Sequence, residues 1–256
     1  MARAVVFCGT AGDPLPTGDD FTGATQSEGT MADLAAAGSQ RWLQFAVNAQ
    51  RGLVDEPLLD SLGGPDYSPL EWLCPLRSGG YREYRDLAAL KALGVPESVQ
   101  YSLADFWPRR GPVWDGLART AKGDLLLLEA KANVPELASG RSQAGPESLK
   151  KITDRLIEVR EYLAPKSTAD WTHTFYQYAN RLAFLYFLRR LHKLPARLVF
   201  VYFVNARDVN GPSSRAEWEA ALTLMYAALG LSKRNRLSPF IHNIFVDAGA
   251  MQRVAA

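Results

Sequence analysis

DGLARTAKGDLLLLEAK, residues 115–131, is the stretch on which the reading of this chain turns. Leu125 to Leu128 is an unbroken apolar run bounded by turn residues, which reads as a strand buried on both faces. A turn containing Gly123 separates it from Asp115–Ala118, and two short strands about such a turn read as a β-hairpin. Asp115 and Glu129 lie equally far from residue 122, inside the turn, so antiparallel pairing sets them roughly opposite one another. Glu129 and Lys131 are two apart, so their side chains leave one face while Ala130 points to the other. Two carboxylates and an ammonium then converge at the end of a strand.

Neighbouring carboxylates repel unless a cation lies between them, and hard oxygen ligands suit Mg²⁺ or Mn²⁺. Such an ion binds phosphoryl oxygens and lowers the pKa of a bound water. Lys131 beside it is placed to orient that water or to stabilise charge on phosphorus. The leucines before Glu129 set the triad at the rim of a rigid strand, as a preorganised site requires.

Outward from the hairpin, Gly9 to Thr30 is rich in Gly, Thr, Ser and Asp, and residues 1–38 read as a flexible tail. Met31 is a second candidate start. Order is expected from Ser39, with a helix over 40–54 carrying Trp42, Phe45 and Ala49. Residues 55–80, punctuated by Pro57, Gly63-Gly64-Pro65, Pro69, Pro75 and Gly79-Gly80, read as loop with at most a short helix at 70–73. Tyr81 to Leu93 reads as a helix stopped by Gly94 and Pro96. Residues 106–114 form a rigid loop with two arginines, two prolines and two tryptophans. Beyond the hairpin come an amphipathic helix over 146–164, an aromatic helix over 172–191, a strand over 197–205, a helix over 214–229 and a strand over 242–247. A mixed sheet flanked by helices, of α/β class, is the economical packing, in one domain over 39–256.

Asp115, a hairpin and then Glu129-Ala130-Lys131 resembles the Asp…(Asp/Glu)-x-Lys signature of the restriction-endonuclease-like, or PD-(D/E)xK, nucleases. The resemblance implies a core of helix, mixed sheet with a hairpin, helix and further strand, here over roughly 81–205. It implies that Asp115 and Glu129 bind the metal with the backbone carbonyl of Ala130, and that Lys131 serves phosphodiester hydrolysis. It further suggests Glu83, on the helix before the first core strand, as a third carboxylate, with Glu71 its rival. Gln177 with Tyr178 and Arg181 is similar to a Gln-containing helix of some branches. Trp114 stands where the name-giving pattern has Pro. Glu83 could equally be a solvated residue beside Arg82 and Arg85, and Gln177 and Arg181 the fringe of an aromatic core helix. Arg109 and Arg110 are candidates for holding phosphates or ordinary loop residues, and Trp107 and Trp114 for packing.

The composition agrees with a folded globular chain. Of 256 residues, 47% are hydrophobic and 11% aromatic, which excludes a disordered chain. Cys8 and Cys74 supply neither a disulfide framework nor a zinc site and suit a reducing compartment. Residues 129–256 carry 18 Lys/Arg against 11 Asp/Glu, an excess that could track a polyanion. Apolar stretches such as 198–204 are far too short to span a bilayer, so no membrane is expected and a cytoplasmic location is. P-loop, dinucleotide and nucleophile-elbow motifs are missing, and His173, His192 and His242 lack metal-type spacing. The expectation is a Mg²⁺- or Mn²⁺-dependent nuclease acting on nucleic acid, DNA by family analogy. The alternative is a binding or interaction module on the same fold. The aromatic helix, with Phe175, Tyr176, Tyr178, Phe184, Tyr186 and Phe187, offers a candidate homodimer surface.

Overall fold

Leu125 to Leu128 are almost wholly removed from solvent, and burying each such side chain is worth about 1.5–3 kcal/mol. That run is the centre of a five-stranded sheet. The computed structural model describes residues 34–254, so the expected tail lies outside the described residues except at its end. There it differs: the N–H of Ala35 donates to Gln44 Oε1 (2.8 Å), and that of Gly38 to Asp208 Oδ2 (2.9 Å).

In chain order the elements are α1 (Gly38–Ala49), α2 (Gly52–Leu62), β1 (Glu71–Cys74), β2 (Tyr84–Arg85), α3 (Asp86–Ala92) and α4 (Glu97–Phe106). The hairpin region follows as β3 (Val113–Trp114), β4 (Gly116–Arg119) and β5 (Leu125–Lys131). Then come α5 (Val134–Leu137), α6 (Pro146–Leu163), α7 (Tyr176–Tyr186) with a π-helical turn over Phe187–Leu191, β6 (Ala196–Val204), α8 (Arg215–Leu229), β7 (Ile241–Asp247) and α9 (Ala248–Val254). The sheet runs β1-β4-β5-β6-β7, with β1 and β5 antiparallel to β4, and β6 parallel to both β5 and β7. β2 and β3 form a separate two-stranded ribbon. The α/β class and the mixed sheet flanked by helices are as the sequence implies.

The alternation along β5 assigns its two faces. Leu125 and Leu127 enter the core that also holds Leu156 of α6, Tyr178 and Leu182 of α7, and Trp218 of α8. Leu126, Leu128 and Ala130 enter the opposite core, with Leu43 of α1, Leu58 of α2 and Met251 of α9. Glu129 and Lys131 continue the first series, so they face α7. The turn is closed by Thr120, whose N–H donates to the Asp124 carbonyl while its hydroxyl oxygen accepts the Asp124 N–H. Gly123, at φ +83°, supplies a left-handed conformation that an L side chain resists.

The structure corrects several sequence expectations. The expected loop over 55–80 contains most of α2 and all of β1. Val54, Leu58 and Leu62, at i, i+4 and i+8, bury one stripe of α2 and outweigh the missing N–H of Pro57. At 70–73 there is a strand rather than a helix, because Trp72 and Cys74 alternate into the core. The expected helix over 81–93 shrinks to α3. Tyr81 and Asp86 take positive φ, and Tyr84–Arg85 pair with Val113–Trp114 instead. The Asp86 carboxylate accepts N–H bonds from Arg110 (3.0 Å) and Gly111 (2.8 Å), which fixes the ribbon's other end. Tyr178, Phe184, Tyr186 and Phe187 are buried in the core, so the aromatic helix does not offer them as a dimer surface.

Candidate active site

The β4–β5 register pairs Gly116 with Leu128, and one further step sets Asp115 against Glu129. Gly116 and Leu128 fall at a hydrogen-bonded position, so that next pair is a non-hydrogen-bonded one, in which side chains approach most closely. Asp115 Oδ2 accepts the N–H of Ala130 at 2.8 Å. The Ala130 carbonyl leaves the same edge of β5 as its N–H, toward Asp115 and just beyond the last β4–β5 pair. Lys131 Nζ donates to Glu129 Oε1 (2.6 Å) and to Gln177 Oε1 (3.0 Å). An ammonium has three donors, which leaves one for a water or a phosphoryl oxygen.

Arg181, one turn along α7 from Gln177, completes the group. Its Nε donates to Glu129 Oε2 (2.8 Å), its Nη2 to the Val113 carbonyl (2.8 Å) and its Nη1 to Asn180 Oδ1 (2.8 Å). Its guanidinium lies 4.9 Å from the centre of the Trp114 ring. Arg181 thereby clamps the strand end that precedes Asp115 onto Glu129. Trp107 and Trp114 are buried and serve packing.

The two facing carboxylates differ in electrostatics. Burial pushes Glu129 up, but Arg181 and then Lys131 outweigh it and hold the carboxyl below its ordinary value. Asp115 has no ion pair among the described residues, and burial, reinforced by the charge of Glu129, pushes it up to about 7. Its second oxygen and the Ala130 carbonyl are hard donors beside an under-compensated carboxylate, and this donor set suits a small divalent cation. Among the described residues no three Asp, Glu, His or Cys side chains are grouped as a ready metal cluster. Such an ion would therefore rest on Asp115, the Ala130 carbonyl and whatever share of Glu129 the two cations release.

The remaining expected residues fall at different distances from this centre. Glu83 precedes β2 rather than sitting on a helix, and Gln40 Nε2 donates to its Oε1 at 2.9 Å. Burial raises its pKa, with a further push from Glu129, so it adjoins the site. Glu71 pairs with Arg119 at 3.6 Å, at the turn end of the hairpin and away from Asp115. Arg109 and Arg110 are exposed in the loop leading to β3. Arg82 and Arg85, also exposed, flank Glu83 on the same ribbon, and neither was singled out as a phosphate contact from sequence. The signal available was four arginines bracketing two extended dipeptides. Gln177 and Arg181, expected at nucleic acid, face Lys131 and Glu129 in the structure.

Comparison with protein-family models, curated proteins and solved structures finds no match for this chain. Among the described residues, no helix is long and apolar enough to cross a membrane.

Proposed function

We propose that the chain is a metal-dependent nuclease with a restriction-endonuclease-like core, hydrolysing phosphodiester bonds of nucleic acid, with DNA the substrate by analogy with that superfamily. The observation that carries this reading is the meeting of Asp115, Glu129, Lys131 and Gln177 at the carboxyl end of β5. Within the implied core of 81–205, the hairpin β4–β5, the helices α6 and α7 and the strand β6 come in the expected order and support the reading, while the helix expected over 81–93 is reduced to α3.

Asp115 and the Ala130 carbonyl, with Glu129, would hold Mg²⁺ or Mn²⁺. When bound, that ion supplies Lewis-acid polarisation of the phosphoryl group and a more acidic water. Glu129, kept ionised by Arg181, holds Lys131 in place from one side while Gln177 holds it from the other. The third donor of Lys131 is left to orient the attacking water or to stabilise charge on a phosphoryl oxygen. Arg82, Arg85, Arg109 and Arg110, whose side chains have no ion pair among the described residues, lie on the ribbon leading into Asp115 and suit backbone phosphates.

A second reading, a nucleic-acid-binding module without turnover, draws on one observation: both oxygens of Glu129 already carry cations. Plasmid and linear DNA incubated with Mg²⁺, Mn²⁺ or chelator, beside Asp115→Ala, separates the two. Metal-dependent cutting that the variant abolishes supports the nuclease. DNA binding with neither cutting nor metal uptake in a calorimetric titration supports the module.

A further inference from the structure

At the other end of the parallel strands lies a second concentration of charge. The segments 189–197 and 232–236 contain Arg189, Arg190, Lys193, Arg197, Lys233, Arg234 and Arg236 and no acidic residue. The fold sets three of them against two rings. The guanidinium of Arg190 lies 5.7 Å and that of Arg236 4.8 Å from the centre of Tyr162, and Arg189 lies 3.3 Å from that of Phe240. The π-helical turn at the end of α7 carries both Arg189 and Arg190. Asp124 answers Arg197 at 3.0 Å. Arg190, Arg234 and Arg236 are exposed and have no carboxylate within ion-pair distance among the described residues. Burial, and then the charge of Arg197, lowers the pKa of Arg189, and Asp124 offsets part of that shift.

This patch is separate from the candidate active site. It begins where β5 and β6 begin, at Leu125 and Ala196, whereas Glu129 and Lys131 end β5, six residues or about 20 Å along the strand. The neighbouring recess of about 370 Å³ between α8 and β7 is a weaker candidate. Its Arg215 is paired with Glu219 and its Lys233 donates to Thr223.

We infer that Arg190 and Arg236, braced on Tyr162, with exposed Arg234 two residues from Arg236 in the chain, form a second polyanion-binding surface that takes a nucleic-acid phosphate backbone. Arginine stacked on a ring keeps its planar fork oriented and its donor edge free, which fits phosphate geometry better than mobile lysines do. The surface does not depend on metal or on the nuclease reading.

The test is the affinity of a labelled random-sequence duplex for the full chain in chelator, so that nothing is cut, as a function of salt. Arg190→Glu with Arg236→Glu is expected to weaken binding at least about tenfold and to reduce the slope of log affinity against log salt by about 2, as loss of two phosphate contacts requires. Arg190→Lys with Arg236→Lys, which keeps the charges, is expected to retain most of the slope. An unchanged melting temperature shows that the exposed substitutions leave the fold intact. Unchanged duplex affinity and slope overturn the inference, as does loss of poly-glutamate binding with duplex binding intact, which assigns the patch to an acidic protein. Failure of the nuclease reading looks different: patch-dependent binding persists and Mg²⁺ produces no cutting.

Discussion

Asp115 offers the sharpest test of the site, because on the proposed reading its metal binding and its effect on stability are coupled. With no cation beside it, its carboxyl is pushed up to about 7 by burial and by Glu129. Its folded pKa lies above its unfolded one, so its contribution is fully present below about pH 4 and is lost as pH rises through 7. A shift of about three units corresponds to about 4 kcal/mol. Solvent reaches this half-buried side chain, and screening brings the expected cost to about 2 kcal/mol at pH 8. Asp115→Asn removes the charge while its amide oxygen can still accept the Ala130 N–H. Without metal, the variant should match the parent near pH 4 and melt higher at pH 8, by about 6 °C for a domain of this size. Added Mg²⁺ should stabilise the parent at pH 8 and leave the variant unmoved. Differential scanning calorimetry at the two pH values, with and without Mg²⁺, reads all four quantities. A variant less stable than the parent at pH 8, or equally responsive to Mg²⁺, would refute the assignment of Asp115 as the under-compensated metal ligand.

Three further outcomes follow from the same contacts. Lys131→Ala should lower cleavage by roughly a hundredfold or more while calorimetric Mg²⁺ binding persists; full activity would remove Lys131 from its assigned role. Arg181→Ala breaks the buried pair with Glu129 and frees the Val113 carbonyl, and chemical denaturation should show a loss of about 3–5 kcal/mol. His242 is held down to about 4 by burial and by Arg197. Its folded pKa lies below its unfolded one, so its contribution is present above about pH 6.5 and fades as pH falls to 4, by about 3 kcal/mol. Replacement by Gln should flatten the fall in melting temperature across that window.

What could be read from the sequence was whatever local arithmetic determines. The hairpin register follows from the positions of Asp115, Gly123 and Glu129, and the alternation of β5 sends Glu129 and Lys131 to one face. The apolar run of β6 and the stripe of α6 likewise carry their own signals. The losses came where a tertiary partner decides. β1 is four residues between Pro69 and Pro75, and only its pairing with β4 makes it a strand. β2 and β3 are two residues each and exist through one another, which displaced Glu83 from the expected helix. Arg181 has no local mark of burial; its partner Glu129 lies 52 residues away in sequence.

The charge around the hairpin is divided unequally, and the division suggests roles. Glu129 has two cations, Arg181 and Lys131, while Asp115 has an N–H and a repelling neighbour. Paired carboxylates whose surroundings drive their pKa values apart do different work. Glu129 is suited to hold Lys131 in place, and Asp115 to take up a proton or a divalent cation. A folded protein gains nothing in stability from an uncompensated carboxylate facing another, and such costs concentrate where function needs them. Arg181 then acts as the brace that makes the cost tolerable. By neutralising Glu129 and gripping Val113 in one step, it leaves Asp115 fixed at the strand end as the carboxylate of the facing pair without an ion-pair partner among the described residues.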